Sequence, residues 1–153
     1  MSDVYPLTLL YDGDCAICRF EVAALKRRDR QRQLRFVDIA AADFDARLWG
    51  RRNGFARFPS AKELDARIHA VTASGTILVG IDVLRYAWRA AGLGLLAQPL
   101  GWRVLRPLAE RGYLAFARHR HALSRRFGRL FSTVTSRADA CTARACRACR
   151  RGE

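Results

Sequence analysis

The stretch Tyr11-Asp12-Gly13-Asp14-Cys15-Ala16-Ile17-Cys18 decides how the rest of this chain reads. The apolar run before it, residues 7–11, predicts a central strand buried on both faces. After it, Ile17, Phe20, Ala24 and Leu25 recur at i, i+3, i+7 and i+8, which predicts a helix over residues 17–28 with one face on a sheet. Two thiols therefore sit where a strand turns into a helix. At a helix start, Cys-x-x-Cys places both sulfurs on one turn, close enough to bridge. The unpaired N–H groups and partial positive charge there stabilise a thiolate, which is the reactive form. Cys15 is expected to be the exposed attacking sulfur, and Cys18, about one turn in, the resolving one. Arg19, Lys26, Arg27 and Arg28 add positive field, while Asp12 and Asp14 oppose it.

Three readings of the pair stay open on spacing alone: a redox couple, half of a zinc site, or two unreactive core cysteines. Its place between strand and helix favours the redox couple. Free cysteine is commonly buried, but Asp12-Gly13-Asp14 has the composition of an exposed turn, which weighs against a core pair.

Composition narrows the class. With 153 residues, half of them apolar, the chain can bury the core of one domain with an extension. No apolar run is long enough to span a bilayer, and the start lacks a basic leader pattern, so a cytoplasmic protein without a transmembrane segment is expected. The five cysteines are odd in number and grouped as 15/18 and 141/146/149, which is no disulfide framework. The net charge is +14, and every basic residue other than Lys26 and Lys62, histidines aside, is arginine. A solvated arginine surface is the plain reading, with weak non-specific affinity for anionic surfaces as its consequence.

Further along, residues 34–39 read as a second strand, so strand, helix, strand implies a parallel crossover. Residues 40–58 read only as a short helical turn around Phe44, Leu48 and Trp49 with a turn at Asn53-Gly54. Ser60 and Glu63 form a capping box that starts a helix at Ala61. Residues 68–73 and 76–80 predict a hairpin across Ser74-Gly75. Asp82 is expected to cap the next helix, which carries Leu84, Ala87, Trp88 and Ala91 inward and stops at Gly92. Residues 93–105 read as a loop with short helical pieces. Pro107 opens a last helix, with Tyr113, Phe116 and Ala117 inward and Arg111, Arg118 and Arg120 outward. His69, His119 and His121 read as strand and surface residues. The order is β-α-β-α-β-β-α.

Asp12 to Cys18 resembles the signature of the DCC family of thiol-disulfide oxidoreductases. The resemblance runs on through residues 34–39, through residues 68–71 to Gly75 and Gly80, and through residues 116–120, roughly positions 6 to 124 in all. It implies a thioredoxin-like fold, with Cys15 and Cys18 as the redox pair. Two features of thioredoxins are missing. No proline stands near Arg67 and Ile68, where a cis-proline would face the cysteines, and Leu9 occupies the place of a buried acid six residues before the first cysteine. Asp12 and Asp14 are candidate substitutes for that acid, with turn formation as their simpler role.

The expected organisation is α/β: a thioredoxin-like core over residues 1–92, a helical extension over 93–131, and a Cys/Arg-rich tail over 132–153. The tail's low hydrophobicity predicts disorder. Its Cys141, Cys146 and Cys149 are open between accessory thiols, a zinc site and a passive tail. The expected function is thiol-disulfide exchange by Cys15 and Cys18 with a disulfide-containing protein or small thiol substrate and a cellular reductant. No bound cofactor and no metal are called for. The rival is a non-catalytic basic module for nucleic acid or membrane surfaces with a structural or zinc-binding Cys-x-x-Cys.

Overall fold

A computed structural model describes residues 3–126. The first strand, β1 (Leu7–Tyr11), is the axis. Helix α1 (Ala16–Arg28) follows, then strand β2 (Leu34–Asp38), which lies parallel to β1 from Leu7↔Leu34 to Tyr11↔Asp38. On its other side β1 pairs antiparallel with β3 (His69–Val71), and β3 with β4 (Ile77–Val79). The sheet order is β2-β1-β3-β4, a mixed α/β arrangement of the thioredoxin-like kind.

Alternation along β1 divides the core. Leu7 and Leu9 face α1 and α4 (Ile81–Ala90), packing with Leu25, Leu34, Ala70, Val83 and Ala87. Leu10 points the other way, into Ala46, Leu64 and Val71. A strand that fills two cores has no polar face, which is why residues 7–11 read as one apolar run. Across the first layer, Trp88 Nε1 donates to Glu21 Oε1 at 2.6 Å, tying α4 to α1.

The second layer is richer than the sequence foretold. It holds α2 (Ala46–Arg52), capped by Asp45, and α3 (Ala61–Ala66), capped by the expected Ser60–Glu63 box. Trp49, Phe55 and Phe58 stack between them with ring centroids 4.9–6.4 Å apart. Gly50 permits this, because a Cβ there would collide with Phe58.

Three expectations need correction. The hairpin strands are shorter than predicted, because a hydroxyl network of Thr72, Ser74 and Thr76 takes over the turn. Asp82 does not cap α4. The cap is Gly80 at φ 66°, and Asp82 sits in the first turn, paired with Arg106 at 3.0 Å. Arg120 does not point outward. It is buried, while Arg111 and Arg118 are exposed as expected.

After α4 come α5 (Gly94–Ala97), a 3-10 turn (Pro99–Gly101) and a helix over residues 106–126, here α6. Residues 127–131 of the expected extension and the whole of 132–153, with Cys141, Cys146 and Cys149, lie outside the described residues. Among the described residues no helix is long and apolar enough to cross a membrane.

The β1–α1 turn is tied to β2. Asp38 Oδ1 accepts from Gly13 N and Ala40 N, both at 2.9 Å, and a Cβ on Gly13 would run into that carboxylate. Gly13→Ala should therefore push Asp38 off both N–H groups and destabilise the fold by about 1–3 kcal/mol. Urea denaturation of the variant against the parent measures this.

A covered thiol pair as candidate active site

Cys15 is itself the N-cap of α1. Its φ/ψ of −85°/111° is extended, and its sulfur accepts from Cys18 N at 3.3 Å. An N-cap acceptor is ordinarily a hydroxyl or carboxylate; a thiolate fills the role with a full charge. The two cysteines are unbridged.

The Cys15 thiol is pulled down to about 6. The largest cause is a hydrogen bond from the Cys18 thiol. Burial opposes it, and the Cys18 N–H and the Arg120 guanidinium help it against the Asp12 charge. Cys18 is pushed up by the same hydrogen bond, by burial and by the Cys15 charge. One proton thus stays on Cys18 while Cys15 is a thiolate at neutral pH.

The sequence misplaced two things here. Cys15 is not exposed: none of its surface reaches solvent, while Cys18 is half-buried. The cover comes from α6, whose Ser124 Oγ accepts from Ala16 N at 2.8 Å in a buried contact. The cation that helps lower the Cys15 pKa is also not in α1. Of the four basic residues expected to supply field, Arg19 donates to Gly13 O at 2.6 Å, yet the cation acting on Cys15 is Arg120.

Asp12 is a turn-former, as expected of it, and its carboxylate is also buried. Its Oδ1 accepts from Asp14 N at 2.9 Å, which forms the turn. Its Oδ2 is buried without a hydrogen bond, 3.3 Å from Arg120 Nη2, an ion pair without hydrogen-bond alignment. Arg120 Nη2 also reaches Asp65 Oδ1 at 2.6 Å. Asp14 is exposed, and its backbone N–H closes that turn onto Asp12. A spacing rule could not have paired residues 12, 65 and 120; the only signal for Arg120 was its place in the stretch that resembles the family.

Asp12, Asp65 and His121 bring ligand atoms within 4.8 Å of one another, the span of a metal site. Arg120 already brings positive charge there. Neither Cys15 nor Cys18 belongs to such a group among the described residues. His69 is buried in β3, held by Arg67 O at 2.8 Å, and burial keeps its pKa low. His119 is exposed.

Beside Cys18 lies an apolar cavity of about 170 Å³, walled by Leu9, Ile17, Val22, Trp88 and Phe116 and roofed by α6. At its edge Tyr113 Oη accepts from Ile68 N at 2.8 Å, where thioredoxins would carry their proline loop.

A thioredoxin-like sheet with a polarised Cys-x-x-Cys at the first helix start is the arrangement that thiol-disulfide exchange calls for. The chain belongs to the DCC1-like thiol-disulfide oxidoreductase family, whose sequence model matches residues 9–126. It is also similar to an uncharacterized chloroplastic protein of Arabidopsis thaliana, 27% identical over 117 residues, which cover 76% of this chain and 51% of the relative. The match thus takes in about half the length of that relative. No solved structure matches the chain.

The ultraviolet absorbance of thiolate should rise with a midpoint near pH 6 in the reduced protein, and that step should vanish in Cys15→Ser. Arg120→Met should raise the midpoint. By stranding the buried Asp12 charge it should also cost about 3 kcal/mol of stability, read by urea denaturation.

Proposed function

We propose that the protein exchanges disulfides through Cys15 as nucleophile and Cys18 as resolving thiol, without a bound cofactor. The observation that carries this is the Cys15 sulfur capping α1, where it accepts from Cys18 N and its thiol is pulled down to about 6. The Cys15 thiolate attacks one sulfur of a partner disulfide. A Cys15–partner disulfide forms and the other partner sulfur leaves as thiolate, taking up a proton. Cys18 then loses its proton and attacks the Cys15 sulfur. The second partner thiolate departs, and the Cys15–Cys18 disulfide remains until a cellular dithiol reduces it. The N-cap contacts that hold the thiolate also make Cys15 a good leaving group when the freed partner thiolate attacks back, so the mixed disulfide reverts unless Cys18 resolves it.

The partner class is a disulfide-bearing protein or small molecule in the cytoplasm. Encounter is steered by the exposed Arg118, Arg125 and Arg126, which lie on α6 clear of the ion pair that holds Arg120. Because Cys15 is enclosed, exchange with a protein disulfide needs the end of α6 to lift. Its ties there are the Ser124 and Tyr113 hydrogen bonds and the Arg120 pair. The rival reading, a basic binding module with an inert thiol pair, has nothing that calls for a lowered Cys15 pKa.

Cys18→Ser should trap mixed disulfides in cells on non-reducing gels, and Cys15→Ser should trap none; adducts held by Cys18 alone would reverse the assignment. The double variant Tyr113→Phe with Ser124→Ala removes two ties worth about 1 kcal/mol each, so alkylation of Cys15 should speed up by about tenfold or more. Peptide mass spectrometry after timed iodoacetamide labelling reads this rate, and an unchanged rate would show that α6 is no barrier.

A further inference from the structure

The segment between α4 and α6 exposes a run of large apolar side chains. Leu95, Leu96, Trp102, Val104 and Leu108 are between 60% (Trp102) and 85% (Val104) open to solvent. Scattered exposed leucines are ordinary, but five within fourteen residues, with a tryptophan among them, form a concentrated patch. The charge that this segment itself carries is of one sign. Residues 85–108 contain Arg85, Arg89, Arg103 and Arg106 and no acid. Arg106 is neutralised by Asp82 and Glu110, at 3.0 and 2.9 Å. Among the described residues Arg85, Arg89 and Arg103 form no ion pair.

The arginines stand beside the apolar residues in space. A groove of about 570 Å³ is lined by Arg85, Arg89, Leu95, Gln98 and Trp102. On the other side of α5, Leu96 shares a smaller hollow with Arg28, Trp88 and Glu21, whose carboxylate accepts from the Trp88 indole. Helix α5 is thus a ridge, with Leu95 on one flank and Leu96 on the other, and arginine along both.

We infer that this ridge docks on an anionic lipid surface. Protruding leucines and valine enter the acyl boundary, the indole of Trp102 takes the interface level, and Arg28, Arg85, Arg89 and Arg103 meet phosphate. A guanidinium pairs with phosphate in two-point geometry, and the groove gives Arg85 and Arg89 room to do so together. A second copy of the chain fits poorly. A two-fold contact through the segment would set Arg85, Arg89 and Arg103 against their own copies, and residues 85–108 bring no carboxylate to offset them. This inference does not depend on the redox reading.

The test uses the full chain with vesicles of phosphatidylcholine, alone or with about a third phosphatidylglycerol, in about 0.1 M salt. The protein should sediment with the anionic vesicles and not with the neutral ones. Its tryptophan emission should shift to the blue, and the shift should be lost in Trp102→Phe. Replacing Leu95, Leu96 and Val104 together by Ser keeps the charge and alters only exposed positions. It should lower partitioning by about tenfold or more with the melting temperature unchanged. Arg85→Gln with Arg89→Gln should do the same. Three results would overturn the inference: no sedimentation with anionic vesicles, sedimentation that the serine variant retains with no Trp102 shift, or a dimer in gel filtration that the serine variant dissolves.

Discussion

Arg120 is held inside the protein by Asp12 and Asp65, and the arrangement around the cysteines hangs on that contact. Asp12 comes from the end of β1, Asp65 from α3 and Arg120 from α6. The ion pair therefore joins the central strand, the second helical layer and the C-terminal helix at one point. Two charges taken out of water hold their place only while each keeps its partner. That makes the pair a demanding clamp. It sets α6 in register with α1 so that Ser124 meets Ala16 N, and it puts a cation beside Cys15.

The same contact brings together two properties that pull apart. Cys15 is acidic because it caps a helix, receives the Cys18 proton donor and lies near Arg120. It is also enclosed, and enclosure alone would make a thiol less acidic. Hydrogen bonding outweighs burial here because both Cys18 donors converge on one sulfur. A reactive thiolate that solvent and oxidants cannot reach is protected from over-oxidation, since oxidation of cysteine follows both thiolate character and exposure.

Most of the core was legible from sequence because its signals are local. Residues 7–11 had to be a two-faced strand, Ser60 and Glu63 had to open a helix, and Cys15 to Cys18 had to straddle a strand–helix turn. What escaped was decided by contacts distant in sequence. Arg120 looked like one more arginine on a basic helix, because nothing near it in the chain announces Asp12 or Asp65. Exposure of Cys15 was inferred from the polar turn before it, and Ser124, more than a hundred residues on, overrides that inference. The α2 region carried weak periodicity because an aromatic cluster around Gly50 and Phe58, rather than an amphipathic stripe, organises it. The candidate pair was nonetheless readable, since its signal is local: two thiols three positions apart at a helix start.

The hydrogen bond from Ile68 N to Tyr113 Oη has a consequence for affinity. That N–H belongs to the backbone beside the thiols, and the chain's own helix already occupies it. Helix α6 behaves as a tethered ligand, present at the high local concentration that a covalent link provides. A peptide that needs this N–H would compete with it, and its apparent dissociation constant would be the intrinsic one divided by the fraction of molecules in which the tethered helix is away. Each ~1.4 kcal/mol added to the hold of α6 weakens every such partner tenfold. Partners that bind without displacing Tyr113 escape that handicap. Selectivity among disulfides can thus be set by a helix that contributes no sulfur.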